Sequence, residues 1–400
     1  MDTPPPAPLL LLGTALLSAL LVPLLRRPAA AVGLIDRPGG RKRHQGEIPL
    51  TGGLAMFGAL AAGLVLLGDG SREVIVLCAA AGLLTLVGAL DDVFDLPARQ
   101  KLVAQLAAAG ILVFGGDIRV DSLGAMFGAG EIELGWVAYP FTLLVIVGFI
   151  NAVNMADGVD GLAGGIALAM VSGLVIVELL ATGTTHPVNL LLAGAILGFL
   201  AHNFPYRASR VPNAFMGDAG ALLLGTVIAW SALRLTTDTS GAAAPPVLIA
   251  AILATPVFDT LILMTRRMLK GRNPMDADRD HLHHVFQRAG FSKRATALVI
   301  VGVVGVTEAI AIGIWEASSW EAGVTLLLAT VLALHILFVV RAWKFVRLFR
   351  LLSRRQASRR EPHPGRTIPF TPRPRTPSAA QVDEYETHAP VLMRKVSGID

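Results

Sequence analysis

Asp, Asn and His residues are grouped in four short segments of a predominantly apolar chain. The segments are Asp91-Asp92, Asn151 to Asp160, Asn213 to Asp218, and Asp280 to His284. Polar and charged groups within or beside apolar segments are costly and mark functional sites by default. Carboxylates gathered at one place repel one another, and a hard divalent cation that also binds substrate phosphates relieves this repulsion.

Each carboxylate segment also has a structural explanation when it is taken alone. A double Asp at the end of an apolar run marks a water boundary, and Asp157 and Asp160 in a Gly-rich segment are typical turn residues. Asp218 is suited to capping the helix that follows it. The absence of nearby Cys in these segments argues against zinc and favours Mg²⁺.

The histidine segment lies in a long basic loop. In a continuous helix, His281 and His284 share one face and His283 points away, which disfavours a three-histidine metal site. A solvated loop or adventitious metal binding is the alternative interpretation. Together with Arg279 and Lys101, these side chains are suited to holding a nucleotide pyrophosphate.

The composition indicates a membrane protein. Of the 400 residues, 54% are hydrophobic and 16% are charged, and the mean hydropathy is +0.62; soluble domains have about 45–50% apolar and about 25% charged residues. The apolar residues form blocks of roughly the length that crosses a bilayer. We predict an all-α polytopic fold with about eleven spans near 8–26, 50–68, 73–90, 99–115, 137–153, 161–181, 187–203, 218–234, 245–264, 295–313 and 321–341.

The distribution of Lys and Arg predicts the orientation. With the N-terminus outside (periplasmic), the cytoplasmic gaps hold 18 Lys and Arg, whereas the outside gaps hold three: Arg72, Arg119 and Arg234. This positive-inside bias places all four polar segments at the cytoplasmic face. We expect the first block to be a true span rather than a signal peptide, because no basic residue precedes it and Arg26-Arg27 follow it.

We predict two regions in the chain. Residues 1–345 form the transmembrane domain with the active-site loops, and residues 346–400 form a basic, disordered cytoplasmic tail. The net charge of +5 is explained by basic residues that flank the spans, so it does not indicate nucleic-acid binding. Cys78 is the single cysteine and is interpreted as a small buried apolar residue.

The order of the motifs resembles that of the polyprenyl-phosphate N-acetylhexosamine-1-phosphate transferases, the superfamily that includes the MraY translocase. Any one motif is weak evidence, but five in order on one face are specific. Around the histidines, the sequence looks like the WecA-type branch. The matches are Asp36-Arg37-Pro38, Arg41 to His44, Pro49 with Gly52-Gly53, Asp91-Asp92, Lys101, Asn151 to Ala163, Phe215 to Asp218, and Asp278 to His284 with Arg288 to Phe291.

The resemblance implies a reaction and a set of site residues. UDP-GlcNAc and undecaprenyl phosphate would give undecaprenyl-diphospho-GlcNAc and UMP with Mg²⁺, or Mn²⁺ in its place. Asp218, with Asp92, is expected to bind the metal, and Asp91 and Asp92 to orient the lipid phosphate. The remaining expected catalytic and substrate-binding residues are Asp157, Asp160, Lys101, Asn151, Asn154, Asn213, His44, Arg279, His281, His283 and His284.

Several alternatives stay open on the sequence alone. The sugar donor is expected to be UDP-GlcNAc, with another UDP-HexNAc or phospho-MurNAc-pentapeptide as alternatives. A transporter is the competing functional class, but the polar motifs lie at span ends and no repeat is evident. A scaffolding protein is a third possibility, but this role would not explain the Asp and His motifs. The expected location is the bacterial inner membrane, and the sequence leaves open whether the chain forms a homodimer.

Overall fold

The apolar blocks of the sequence form helices in a computed structural model, which describes residues 6–37, 46–206, 211–237, 244–273 and 281–349. The helices are α1 (Ala7–Leu24), α2 (Arg26–Ala31), α3 (Gly52–Leu67), α4 (Arg72–Phe94), α5 (Ala98–Gly110), α6 (Ala138–Ala156), α7 (Leu162–Thr182), α8 (Pro187–Asn203), α9 (Gly217–Thr237), α10 (Pro246–Leu269), α11 (Leu282–Arg288), α12 (Lys293–Ser318) and α13 (Glu321–Val340).

Every predicted span coincides with a helix. Among the described residues, eight helices are long and apolar enough to cross a membrane, and α3 and α8 are shorter apolar helices. The remaining predicted span is α5, which continues through a π-helical turn at Ile111–Gly115. The chain is therefore a multi-pass helical membrane protein, while the eleven crossings, their orientation and the division at residue 345 stay predictions.

A small antiparallel ladder departs from the all-α expectation. Strands β1 (Ile35–Asp36) and β2 (Ile48–Pro49) pair, with Ile35 opposite Pro49. The carbonyl of Pro49 in β2 accepts a hydrogen bond from the backbone of Phe215, and the carbonyl of Phe215 accepts one from Gly52. The ladder forms because these backbone groups need partners where the chain returns between α2 and α3. It ties the start of α3 to the segment that precedes α9.

The ends of the helices follow from local sequence. Ser71 accepts a hydrogen bond from the backbone N–H of Val74 and so caps α4. Pro187 stands in the first turn of α8, where its missing N–H costs nothing. Gly68 and Gly183 end α3 and α7 in the left-handed conformation that favours glycine.

Helix α9 lies at the centre of the bundle, and 89% of an apolar 18-residue stretch of this helix is buried. Gly53 of α3 lies against the backbone of Gly220, and Gly88 of α4 lies against the backbone of Ala219. Small residues at such contacts allow helices to approach closely in a membrane, where packing drives association. The first turn of α9 is therefore held between α3 and α4.

The opposite end of α9 carries a buried polar cluster. Arg234 forms an ion pair with Glu178 of α7, and Glu178 also accepts a hydrogen bond from Asn189 of α8 at 3.0 Å. Burial, followed by the positive charge of Arg234, lowers the pKa of His186 to about 4, so this imidazole is neutral at pH 7. The cluster joins α7, α8 and α9 at the end away from the carboxylate motifs.

The glycine contacts generate a prediction. In Gly53→Ala, the new Cβ would overlap the backbone of Gly220, which cannot rotate away. We expect a loss of about 1–3 kcal/mol in stability, as for other overpacked positions. The measurement is the thermal unfolding midpoint of the purified protein in detergent. Gly302→Ala in α12 is the control, because no atom lies within 4 Å of its Cβ position; an equal loss in both variants would contradict the assignment.

Candidate active site

Asp92 organises the site by capping a helix other than its own. Its Oδ1 accepts a hydrogen bond from the backbone N–H of Asp218 at 2.9 Å, and its Oδ2 accepts one from Ala219 at 3.2 Å. These are orphan donors of the first turn of α9, at the positive end of the helix dipole. Gly217 has φ +68, and a Cβ there would overlap the Asp92 carboxylate. The expectation that Asp218 caps α9 is thus corrected: Asp218 lies in the first turn, and Asp92 of α4 supplies the cap.

Lys101 joins two carboxylates from distant parts of the chain. Its Nζ lies 2.7 Å from Asp91 Oδ2 and 3.4 Å from Asp218 Oδ2. The other oxygen of Asp91 accepts a hydrogen bond from the backbone of Leu96 at 2.7 Å. Both carboxylate oxygens of Asp91 therefore have a close hydrogen-bond partner. Asp218 lies beside Asp91 and shares a side-chain hydrogen bond with it. Its contacts to Lys101 and to Asn154 Nδ2 are both 3.4 Å, beyond the usual length of charge-assisted hydrogen bonds.

Asn203 holds the Gly-rich loop beside the segment that leads to Asp218. Its Oδ1 accepts a hydrogen bond from the backbone of Gly161 at 2.6 Å, and its Nδ2 donates to the carbonyl of Ala214 at 2.9 Å. Gly161 has φ +78, which favours glycine at the start of α7. The buried amide of Asn203 thus fixes the distance between two of the predicted motifs.

Asp157 and Asp160 lie in this loop but have different surroundings. The side chain of Asp157 is accessible to solvent, and the other carboxylates of the cluster lie near it. Desolvation, followed by the negative charges of Asp218, Asp92 and Asp160, raises the pKa of Asp157 to about 7. Asp160 Oδ2 instead lies 2.8 Å from Lys293 Nζ at the start of α12. Asp157 therefore belongs electrostatically to the carboxylate cluster, and Asp160 anchors the loop to α12.

The histidine segment differs from its expected arrangement. Because α11 begins at Leu282, His281 is not helical, and its ring stacks on that of His283 with centroids 5.7 Å apart. The expectation that His283 points away from His281 is wrong for this reason. The ring of His283 lies against the backbone of Gly158, and its centroid is 4.3 Å from that of His284.

His283 is a neutral member of the site. Burial, followed by the charges of His284 and His281, lowers its pKa to about 3. At pH 7 it therefore offers one N–H donor and one acceptor rather than a positive charge. The structure thus brings the histidine segment against the Asp157 loop, although these segments are more than 120 residues apart in sequence.

The other predicted residues occupy more peripheral positions. Asn151 and Gln105 of α5 exchange amide hydrogen bonds of 2.7 and 3.3 Å. The side-chain amide of Asn213 lies 3.4 Å from His202 of α8, away from the carboxylates. His44 and Arg279 lie outside the described residues.

Three site residues were missed by the sequence analysis: Gln105, Asn203 and Asp259. Each is buried and polar, in or at the end of an apolar helix. Asp259 accepts a hydrogen bond from His281 Nδ1 at 2.8 Å. The cost of a polar group in an apolar block was the available signal, but isolated residues carry it less visibly than paired Asp or His motifs.

The carboxylates of the site could hold the expected divalent cation only together with other ligands. Within the described parts of the chain, no three His, Cys, Asp or Glu side chains form a group that could hold a metal ion by themselves. Mg²⁺ is commonly held by one or two carboxylates together with waters and substrate phosphates. Asp91, Asp92, Asp157 and Asp218 lie near a single Lys101, so the local charge is negative. The donor set fits a cation that is shared with substrate phosphates.

Residues 50–236, which contain the Asp92–Asp218 contact and Lys101, match the family model of glycosyl transferase family 4. A relative from Escherichia coli (strain K12), named undecaprenyl-phosphate alpha-N-acetylglucosaminyl 1-phosphate transferase, is 33% identical over 360 residues, covering 89% of this chain and 97% of the relative. The chain belongs to glycosyl transferase family 4. The resemblance found in the sequence motifs is confirmed over nearly the whole length of this relative.

Two further relatives extend the comparison of the family 4 chain. A Salmonella typhimurium protein of the same name is 34% identical over 365 residues, covering 89% of this chain and 97% of the relative. A Bacillus subtilis protein, named probable undecaprenyl-phosphate N-acetylglucosaminyl 1-phosphate transferase, is 34% identical over 310 residues, covering 76% of this chain and 84% of the relative. Similarity therefore reaches beyond the part that the family model matches.

The capping contact in the family 4 chain generates a second prediction. Asp92→Asn replaces one acceptor oxygen by an NH₂ group that faces a backbone N–H, so one amide of the first turn of α9 loses its partner. We expect a loss of about 0.5–2 kcal/mol in stability, as for other helix caps, measured as the shift in thermal midpoint. Asp95→Asn is the control, because Asp95 has φ +52 and Asn tolerates this conformation. A wild-type midpoint for Asp92→Asn would exclude the capping role.

The raised pKa of Asp157 generates a third prediction. A carboxyl whose folded pKa exceeds its unfolded value binds its proton more tightly when folded, so its contribution to stability is present at low pH. That contribution falls as pH rises from about 4 to about 7. Without divalent cations, wild type should lose more stability between pH 5 and pH 8 than Asp157→Asn, as followed by thermal unfolding. Asp117→Asn, at an exposed loop position, should keep the wild-type slope; identical slopes in all three proteins would refute the assignment.

Proposed function

We propose that this protein transfers GlcNAc-1-phosphate from UDP-GlcNAc to undecaprenyl phosphate, giving undecaprenyl-diphospho-GlcNAc and UMP. The observation that carries the proposal is the convergence of Asp91, Lys101 and Asp218 at the positive end of α9. Such an arrangement suits two phosphate-bearing substrates that must approach each other. The proposal is supported by the names of the relatives that the chain matches over 84–97% of their length.

The chemistry proposed is a phosphoryl transfer. An oxygen of undecaprenyl phosphate attacks the sugar-proximal phosphorus, the bond from that phosphorus to the UMP oxygen breaks, and UMP leaves with the electron pair. The sugar C1–O bond is not broken, so the anomeric configuration is kept. The lipid phosphate has lost most of its last proton at pH 7, so no strong general base is required. Catalysis then depends mainly on positioning and on neutralising charge.

On the lipid side, Lys101 is the proposed phosphate-binding residue. Its side chain is 27% exposed, and its ammonium group lies between Asp91 and Asp218. Asp91 orients this ammonium group, because the contact between them is short and Asp91 is buried. This assigns Asp91 to positioning and leaves the lipid phosphate to Lys101.

Asp218 is the proposed main ligand of Mg²⁺, or of Mn²⁺ in its place, with Asp92 beside it. The ion would neutralise charge that grows on the UMP leaving group. Asp218 is suited to this role because its contacts to Lys101 and Asn154 are long, and because Asp92 fixes its backbone. Asp92 thus acts on the site largely through Asp218.

The nucleotide-sugar is proposed to bind between the Gly-rich loop and the histidine segment. Asn154 and Asp157 border the carboxylate cluster, and His281, His283 and His284 lie on the other side of Gly158. Neutral His283 would donate or accept a single hydrogen bond. Asp160 contributes indirectly by holding the loop to Lys293.

The proposed location is the bacterial inner membrane with the site at the cytoplasmic face. Support comes from the 18 to three distribution of Lys and Arg. UDP-sugars are cytoplasmic substrates, so this orientation agrees with the proposed donor. The product would initiate O-antigen or another cell-envelope polysaccharide.

The fourth prediction tests the reaction and the metal assignment together. Purified protein in detergent, supplied with UDP-GlcNAc, undecaprenyl phosphate and Mg²⁺, should release UMP and form the lipid-linked sugar, identified by mass spectrometry. EDTA should abolish both products, and Mg²⁺ should restore them. Asp218→Asn should lower turnover by about 10²–10³-fold, because removing one electrostatic group at a reacting centre has effects of this size.

Asp117→Asn is the matched control, since Asp117 is an exposed carboxylate near the other end of α5. It should keep wild-type turnover. Near-normal turnover of Asp218→Asn would exclude it as the metal ligand. Formation of a different lipid-linked sugar from a panel of UDP-sugars would overturn the donor assignment alone.

A further inference from the structure

A buried carboxylate outside the region matched by the family model holds the histidine segment. Asp259 of α10 is 8% exposed, and its Oδ2 lies 2.8 Å from Nδ1 of His281. Its Oδ1 accepts a hydrogen bond from the backbone of Leu282 at 3.2 Å and lies 3.2 Å from Nε2 of His335. The carboxylate therefore contacts α11 on one side and α13 on the other.

The hydrogen-bond chemistry of this group orients His281. An ionised carboxylate only accepts hydrogen bonds, so Nδ1 of His281 and Nε2 of His335 must both carry a hydrogen. The Nε2 atom of His281 is then the ring nitrogen left for other partners. The bond from Leu282 to the same carboxylate fixes the first amide of α11, so ring and backbone are held by one group.

Packing connects the position of Asp259 to that of the Gly-rich loop. A cavity of about 20 Å³ lies beside Asp259 and His283, and Ala156 and Leu162 also line it. This space is about the size of one water, so little room separates Asp259 and His283 from Ala156 and Leu162, which flank the Gly-rich loop. The ring of His283 in turn lies against Gly158. A shift of Asp259 would therefore move the histidines relative to the Asp157 loop.

We propose that Asp259 is a positioning residue for His281 and that His335 of α13 holds Asp259 in place. The inference rests on the proposed function, because it assigns His281 to the nucleotide-sugar side of that reaction. Asp259 does not touch the reacting atoms; it acts through the ring and the helix start that it holds. Helix α13 thereby becomes part of the support of the site.

A double-mutant cycle tests this assignment. Asp259→Asn keeps the size of the side chain but replaces one acceptor by a donor, and it should lower kcat/KM for UDP-GlcNAc by about 10–100-fold, as for other partners that orient a functional histidine. In a His281→Ala background, the same change should alter kcat/KM by less than about twofold, because residues in one network are not additive. The KM for undecaprenyl phosphate should stay at the wild-type value.

His335→Gln provides a second route to the same answer. It should lower kcat/KM for UDP-GlcNAc by less than Asp259→Asn does, and this decrease should also vanish in the His281→Ala background. If Asp259→Asn fails to fold, as judged by gel filtration and thermal unfolding, the His335→Gln cycle decides. Asp259→Glu, which keeps the carboxylate, should recover part of the activity.

Glu308→Gln is the matched control for removing a buried carboxyl group from the bundle. Glu308 of α12 is 5% exposed, and its Oε1 has no hydrogen-bond partner among the described residues. The activity of the Glu308→Gln variant should equal that of wild type. Losses that multiply in the His281→Ala background, or an equal loss in Glu308→Gln, would overturn the positioning role. Failure of the proposed function is distinct, because wild type itself would then release no UMP.

Discussion

The contact between the Asp92 carboxylate and the first turn of α9 is the constraint on which the site depends. Two orphan backbone amides of α9 receive their partners from α4, and Gly217 leaves the space that this approach requires. Because Asp218 follows directly, its carboxylate is placed by the same contact. The close approaches of Gly53 and Gly88 to α9 then hold the three helices together.

A second carboxylate repeats this arrangement at the other side of the site. Asp259 of α10 receives the first amide of α11, as Asp92 of α4 receives those of α9. In both cases a polar group at the beginning of one helix is satisfied by a side chain of another. The candidate site residues next to these amides, Asp218 and His281, are thereby positioned by contacts between helices rather than by the local chain.

Much of the fold could be predicted from the sequence because membrane helices are marked by the length of their apolar runs. All eleven predicted spans are helices, and their bounds differ by a few residues. The two-stranded ladder at Ile35 and Pro49 was not foreseen, because strands of two residues carry no periodic pattern. The start of α11 at Leu282 decided the arrangement of the histidines, and nothing local marks that start.

The site could be predicted to the level of its motifs but not of its partners. Asp91, Asp92 and Asp218 were found because charge beside apolar sequence is costly. Their different roles depend on which backbone or ammonium group each one meets, and those groups come from other helices. Asn203 and Asp259 were missed for a related reason. The role of a single polar residue in an apolar run depends on contacts with residues that are distant in sequence.

The Asp92 contact has a consequence for how the protein is made. Asp92 and Asp218 are 126 residues apart in sequence, so at roughly 5–20 residues per second the ribosome needs roughly 6–25 s to supply the second after the first. During this interval α4 is already available for insertion, while its terminal carboxylate has no amide partners. Asp92 lies in the last turn of α4, where water at the helix end can solvate its carboxylate until the amides of α9 arrive.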